Sequence, residues 1–460
     1  MDGHEILIIG GGVAGLAAGW ALGPHACVLE GGSQPGGLVK TEELNGYWFD
    51  HVVHLLHLAD PSTEKKLKSL LGEVLVRRPP EAWVECSAGT ARYPIQNHLR
   101  TLDPKTITQI LSDLRQESRR QDTTRPDSHK DVLIRTFGQT LCEIFFFPYH
   151  RKVWKRSLET LSPTGFQWNI ARPSLEEVTR GAQASSAEKT SLATQAAVYN
   201  QNGWYPQPKP GAPLRGMEFL TREMTQHVPD LRLSHQVTSI DCETRSLIIK
   251  TPETISSIYY QHACVATLPL PHLLTICTDV PRPLKTAVKD LEFNRVRSVM
   301  IGVRGPRHPQ PGLWRYYADE SIIFSRLAFM TEFDPYMAPE EGFGILAEVT
   351  ERGDAREQPA QELISRVIVD LKRLGWIRTT DEIECTKALT ISPAYVVFSK
   401  ASQEIIGQAK KFFSERGVYL LGRYGRWEYS SIESVIRDGL ECGQALLDSL
   451  PNRETETARE

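Results

Sequence analysis

The chain has no C-x-x-C pair. Its eight cysteines stand at 27, 86, 142, 242, 264, 277, 385 and 442, too scattered for the paired spacing of a zinc site or a disulfide framework, so no metal is expected. Free thiols suit a reducing compartment, and a cytoplasmic location is expected. Net charge is also scarce: 53 Lys and Arg against 56 Asp and Glu leave −3, with no electrostatic reason to expect a nucleic-acid partner. A membrane-length apolar run is missing too. Ile6 to Leu22 comes nearest but contains five glycines, so no membrane span is expected. Asp2 and Glu5 stand where a signal peptide would carry positive charge, so none is expected. There is no internal repeat. What remains is 460 residues, 40% of them hydrophobic, enough for two or three domains around a large core.

The most informative stretch is the first thirty residues. Glu5 to Ile9 reads EILII, a β-branched apolar run that predicts a strand. Gly10-Gly11-Gly12-Val13-Ala14-Gly15 follows, then the helical LAAGWAL, then CVLE ending at Glu30. Strand, glycine turn, helix, strand and acid, in that order, form the G-x-G-x-x-G unit that holds a dinucleotide pyrophosphate. Gly10 permits the turn, Gly12 lets backbone approach the phosphates, and Gly15 lets the helix pack on the strand. The N–H groups of Val13 and Ala14 open the helix toward the anion. Glu30 is placed to accept hydrogen bonds from a ribose diol. The N-terminal position and the second glycine pair, Gly36-Gly37, favour FAD over NAD.

The remaining pattern divides the chain. Residues 1–99 read as the first part of an FAD-binding domain, with a hairpin turning at Asn45-Gly46 and a helix opening at Asp60-Pro61. Residues 100–230 read as a mainly helical insertion carrying substrate contacts. Residues 231–275 alternate like antiparallel strands and return to the FAD-binding domain. Residues 276–400 form an antiparallel-sheet substrate domain with an amphipathic helix, QELISRVIVDLKRLGW. Residues 401–450 supply the last strand and helix of the FAD-binding domain, and 451–460 read as a solvated tail. The fold class is α/β: a Rossmann-like domain built from discontinuous segments, with the helical insertion and the antiparallel-sheet domain between them.

Nine segments, in order along the chain, carry a further likeness: GGLVKT, YWFDHVVH, RYPIQNHL, FFFPYHRKVW, WYPQPKPGAPLRGMEF, VATLPLP, IIFSRLAF, PAYVVF and LGRYGRWEY. Together they resemble the flavoproteins of the amine oxidase and protoporphyrinogen oxidase superfamily, and within it the UDP-galactopyranose mutase branch. The resemblance implies FAD as cofactor and a nucleotide sugar as substrate, isomerised on reduced flavin, with NAD(P)H or another reductant as partner. It places Gly37, Leu38, His54, the backbone of Val237, Gly422, Arg423 and Ser431 beside the cofactor. It makes Arg326 the first candidate for a diphosphate clamp and Arg172 a second, since a guanidinium fork donates two hydrogen bonds at once. Tyr317, Tyr395 and Tyr429 would line the diphosphate, and Gln96 and Asn97 would reach the substrate. His54 and Arg326 are the candidate catalytic residues. Lys152 and Trp154 are expected to be structural.

The chain also departs from the branch it resembles. Val52-Val53 stands where mutases carry Gly-Gly, Ser325 replaces a tyrosine, and His150 replaces an asparagine. His51, His54 and His57 would share a strand, yet no acid or cysteine cluster accompanies them to make a metal site. Two alternatives to a mutase stay open: an oxidase or dehydrogenase of the superfamily, with Phe145-Phe146-Phe147 either lining an apolar channel or packing in the core, and a flavoprotein that has lost catalysis.

Overall fold

The computed structural model describes residues 2–120, 124–164, 174–183 and 203–451. Arg172, most of the polar GAQASSAEKTS stretch and nearly all of the expected tail lie outside them. Two seven-stranded sheets organise the rest.

The first sheet grows from the opening strand, Asp2–Ile9. Ile6, Leu7, Ile8 and Ile9 are at most 1% exposed, which places both faces of this strand in the core, as in parallel sheets covered on two sides. It pairs in parallel with Ala26–Leu29 on one side and with Ile255–Ala266 on the other. Asp230–Arg232 extends the sheet beyond Ala26–Leu29, and Val418–Leu420 joins Ile255–Ala266, both in parallel. An antiparallel excursion, Gln236–Asp241 and Ser246–Lys250, leads into the long Ile255–Ala266 strand. Ile6 and Ile8 point toward the helices Val13–Leu22 and Ile432–Asp448. Leu7 and Ile9 point to the opposite face, against Leu273 and Phe413. The expected strand ACVATLPL stops at Ala266, because Pro269 opens the helix Leu270–Ile276.

The second sheet runs in the order Glu382–Val396, Phe293–Arg304, Gly342–Arg352, Arg326–Phe329, Trp314–Tyr317, Ala82–Cys86, Gly89–Arg92. All neighbours are antiparallel except Trp314–Tyr317 with Ala82–Cys86. The hairpin at 82–92 therefore belongs to this sheet and not to the nucleotide-binding one. One face packs on the amphipathic helix Ala360–Arg373 through Leu327, Ala347, Leu363 and Val367. The other face, with Trp314, Ala328 and Leu346, meets Tyr47 and Phe49 of the N-terminal hairpin. Strand alternation decides which side chain faces which layer.

The hairpin Thr41–Leu44 and Tyr47–Asp50 turns at Asn45 and Gly46, both with positive φ. Its second strand is shorter than the sequence reading. Asp50 is buried and accepts from Thr41 Oγ1 at 2.8 Å, Tyr205 Oη at 2.6 Å and Met217 N at 2.9 Å. Those bonds hold the strand end, and the chain bends at His51-Val52. His51, His54 and His57 therefore do not share one strand; only Leu56–His57 is extended into a ladder.

The helical insertion includes Pro104–Ser118, His129–Phe137 and a run from Cys142 through Trp154 that begins with a π-helical stretch. Phe145, Phe146 and Phe147 are buried in its core, with Phe146 stacked on Phe137 at 4.0 Å. From the same run Lys152 Nζ donates to three backbone carbonyls, those of Tyr317, Asp319 and Phe324, at 2.9, 2.8 and 2.6 Å. One buried amino group, its pKa pushed down to about 7 by burial, thus ties the loop between two strands of the second sheet to the insertion. Lys152→Met keeps the length and removes the donors, leaving buried carbonyls unpaired. It is expected to cost about 2–4 kcal/mol in urea unfolding. An unchanged midpoint would contradict that role.

Candidate functional site

The site is built from two halves, a backbone cradle and a half-buried charged cluster. The cradle is the turn after the opening strand. Gly10 has φ +104°, and a Cβ there would lie 2.2 Å from Thr267 Oγ1. A Cβ on Gly15 would fall 1.9 Å from the Gly10 carbonyl oxygen. Only glycine permits this approach of strand to helix. The helix Val13–Leu22 then starts at Gly12 with no side-chain cap, so its first amides are left for an anion.

Glu30 closes the turn from the other side. Its Oε2 accepts from Gly11 N at 2.8 Å and its Oε1 from Gly32 N at 2.7 Å. The Gly36 amide donates to Gly11 O at 2.8 Å, and a Cβ on Gly37 would lie 3.2 Å from Gly12 Cα. Val237 lies in the strand that follows His235, whose N donates to the Glu30 backbone carbonyl. Uncapped helix amides, a side-chain-free approach and an anchored acid fit the pyrophosphate and ribose of a dinucleotide. At the chain's other end, Gly422–Gly425 follows Val418–Leu420, and a Cβ on Gly422 would meet Ala14 Cβ at 2.7 Å. The last helix starts there, but the Ser431 hydroxyl is occupied as its N-cap, accepting from Ser434 N at 3.1 Å.

The charged cluster follows from register in the second sheet. Tyr316 pairs directly with Arg326, Arg326 with Glu348, and Glu348 with Ser298. Four neighbouring strands thus place these side chains in one row. Arg326 forms a bidentate pair with Glu348, Nε to Oε2 and Nη2 to Oε1, both at 2.8 Å. Glu348 Oε1 also accepts from Val53 N at 3.1 Å. Burial opposes the Arg326 charge, but Glu348 and the facing tyrosines outweigh it and raise its pKa well above the ordinary value.

His54, Tyr149, Tyr395 and Arg423 complete the group. Burial, then Arg326 and Arg423, push the His54 imidazole down to about 3. It is neutral at physiological pH, and its Nδ1 has no hydrogen-bond partner among the described residues. Burial, then Glu348, raises the Tyr395 phenol to about 12, against the lowering pull of the two arginines. Burial also raises Tyr149 and Tyr316, so these phenols stay protonated donors. The Arg423 guanidinium lies over the rings of Tyr429 at 4.7 Å and Tyr395 at 5.8 Å, and donates to Ala394 O at 3.0 Å. It has no carboxylate partner among the described residues. Leu38 and Val52 lie with Val296, Ile391 and Ala394 in an apolar patch touching Tyr395. Neither Val52 nor Val53 takes the positive φ that glycines could adopt there.

The structure brings His54, Arg326, Arg423 and Tyr395 together, and corrects Tyr317. That side chain faces the other layer, where its hydroxyl accepts from Trp376 Nε1 at 2.6 Å. The strand reads Trp-Arg-Tyr-Tyr, and alternation turns Tyr316 toward Arg326 instead. Tyr429 stacks near Tyr395 but donates its hydroxyl to Val396 O at 2.8 Å. Gln96 and Asn97 are buried in the turn Ile95–Asn97, against Gly181 of the helix Leu175–Gln183. Tyr93, just before them, contacts Tyr316 at 5.2 Å between ring centres. Glu348 and Tyr149 were missed. An acid inside the apolar run GILAEVTE was the available signal for Glu348.

A cradle for a dinucleotide with a half-buried pair of arginines suits a flavin-dependent enzyme. The comparisons agree. The chain matches the family described as flavin containing amine oxidoreductase over residues 13–447, and it belongs to that family and uses FAD. Its fold is similar to reduced UDP-galactopyranose mutase, with TM-score 0.84, 20% identity, and 98% and 97% of the two chains covered. A protein of Exiguobacterium sp. 255-15 described as a protoporphyrinogen oxidase gives TM-score 0.71 at 17% identity, with 97% and 98% covered. A putrescine oxidase double mutant gives 0.61 at 15%, with 97% and 99% covered. Among the described residues no helix is long and apolar enough to cross a membrane.

The buried histidines set a pH dependence. His54 is held at about 3, and His57 and His129 at about 4, each below the free value of 6.5. Below pH ~6.5 the unfolded chain binds protons that the folded chain refuses, so stability present above that pH is lost toward pH 4. Each histidine contributes up to about 1.4 kcal/mol per pH unit. Asp50, raised to about 6 by burial, acts in the opposite direction and offsets part of this. His54→Gln should flatten the fall by about one proton's worth in urea unfolding between pH 6.5 and 5. An identical slope would place His54 in a solvated site.

Proposed function

We propose that this flavoenzyme rearranges a nucleotide-linked sugar, in the manner of a UDP-galactopyranose mutase. One observation carries the reading: two guanidinium groups, Arg326 and Arg423, stand in one half-buried cluster with, among the described residues, one carboxylate, Glu348, and with the protonated phenols of Tyr149, Tyr316 and Tyr395. The cluster therefore carries net positive charge with neutral donors around it, which suits a diphosphate leaving group. The solved structure of a mutase with TM-score 0.84 supports the same choice.

Gly10, Gly12, Val13, Ala14, Gly15, Glu30 and Gly37 would hold the FAD, with Leu38, His54, Val237, Gly422, Arg423 and Ser431 along its length. Bound FAD supplies the reducible ring system on which this chemistry runs. Arg423 would stabilise negative charge, His54 would offer a neutral hydrogen-bonding group, and Arg326 would orient the diphosphate, helped by Arg172, Gln96 and Asn97. Tyr395 and Tyr429 would border it, with Tyr316 taking the place first given to Tyr317. NAD(P)H is the proposed reductant, and the eight free cysteines agree with a cytoplasmic setting.

A second reading rests on a specific observation. The Arg326 fork is already engaged by Glu348, and Val52 adds branched apolar surface beside Leu38 and Ala394. Both features suit a less charged substrate that loses hydride, as in an oxidase. The test is to supply UDP-galactopyranose and UDP-galactofuranose to the purified holoprotein with and without dithionite. The mutase reading expects interconversion only after reduction, no net oxygen use, and a fall of about 100-fold or more in kcat/KM for Arg326→Ala. Absence of binding and conversion by reduced holoprotein would overturn it.

A further inference from the structure

Two cysteines that are 35 positions apart meet in the fold. Cys242 follows the strand Gln236–Asp241, and Cys277 follows the helix Leu270–Ile276. The backbone joins these segments: Ile240 bridges Cys277, Thr278 N donates to Ile240 O at 2.9 Å, and Cys242 N donates to Asp279 Oδ1 at 3.2 Å. This pairing sets the two sulfurs 3.5 Å apart and Cys277 Sγ 3.1 Å from Asp279 Oδ1. The three donor atoms all lie within 4.8 Å of one another.

Two further buried oxygens belong to the same neighbourhood. The Tyr260 hydroxyl, in a side chain 1% exposed, has no hydrogen-bond partner among the described residues. It lies within electrostatic reach of Cys264, Cys242, Arg245 and Asp279. Asp279 Oδ2 is buried with no hydrogen bond of its own, and Arg416 Nε pairs with it electrostatically at 3.6 Å. An unpaired buried hydroxyl such as that of Tyr260 is costly, and a ligand that takes up its lone pair relieves the cost.

We propose that Cys242, Cys277 and Asp279 bind one zinc-class divalent cation, with the Tyr260 oxygen or a water as fourth donor. Zinc–sulfur bonds of about 2.3 Å at a tetrahedral angle put two sulfurs roughly 3.8 Å apart, so the sulfur pair, at 3.5 Å, already has nearly the spacing required. Both thiols lose their protons to solvent on binding, and the two thiolates with the Asp279 carboxylate provide the charge. The cation joins the antiparallel excursion of the first sheet to the helix that follows it. It is a structural staple and takes no part in the flavin reaction.

Cobalt(II) is the probe, added to purified chelator-treated holoprotein and read as difference absorption against the cobalt-free sample. One equivalent should give thiolate-to-cobalt charge-transfer absorption, displaced by added zinc. Cys242→Ser and Cys277→Ser should abolish it while FAD content stays at the wild-type level. Asp279→Asn should weaken binding by at least the ~10–100-fold typical of a lost outer partner. Native mass spectrometry of the wild-type chain with zinc, followed by mapping of alkylated thiols, gives the result independently of the variants: positions 242 and 277 should be protected together. No bound metal, equal cobalt absorption in Cys242→Ser, or a Cys242–Cys277 disulfide in the native protein would overturn the proposal.

Discussion

The approach of backbone to backbone at the first turn constrains everything that follows. Gly15 must sit where any side chain would strike the Gly10 carbonyl, and Glu30 must reach back to the Gly11 amide. Those two contacts fix the angle between the opening strand and its helix. The helix then receives the last helix of the chain, whose Gly439 would bring a Cβ within 2.6 Å of Ala17 Cβ. Residues from both ends of the sequence thus become one layer, and Gly422 and Arg423 arrive beside the turn for that reason.

The second sheet contributes charge where the first contributes bare backbone. Its register sets Tyr316, Arg326, Glu348 and Ser298 side by side, so the ion pair is a cross-strand pair built into the ladder. A bidentate pair in which Glu348 is 3% exposed is strong in geometry but expensive in desolvation. Its value here is orientation: Glu348 also takes the Val53 amide, so one carboxylate positions the arginine and the segment carrying His54. Arg423, held by three aromatic rings and one carbonyl, leaves the cluster with an unbalanced positive charge.

Much of this was legible in order along the chain. Strand, glycine turn, helix and acid over the first thirty residues read directly, because each step has its own local cause. The Asn45-Gly46 turn and the amphipathic helix at 360–373 read for the same reason. Relations between strands did not. Trp314-Arg315-Tyr316-Tyr317 offers no polar–apolar alternation to show which tyrosine turns inward, and the expectation fell on Tyr317, one position off. The strand after Asp50 was overestimated because the hydrogen bonds that end it come from Tyr205 and Met217, more than 150 positions away. The closeness of Cys242 and Cys277 has the same origin: no short spacing announces a pair that only a strand and a later helix bring together.

The most direct test of the whole arrangement is a crystal structure of the protein with FAD. The account predicts the pyrophosphate on the amides opening the helix Val13–Leu22, the adenosine ribose on the Glu30 carboxylate, and the flavin ring bordered by His54, Arg423 and Leu38. Flavin density elsewhere, or a ribose turned away from Glu30 while that carboxylate only caps Gly11 and Gly32, would contradict it.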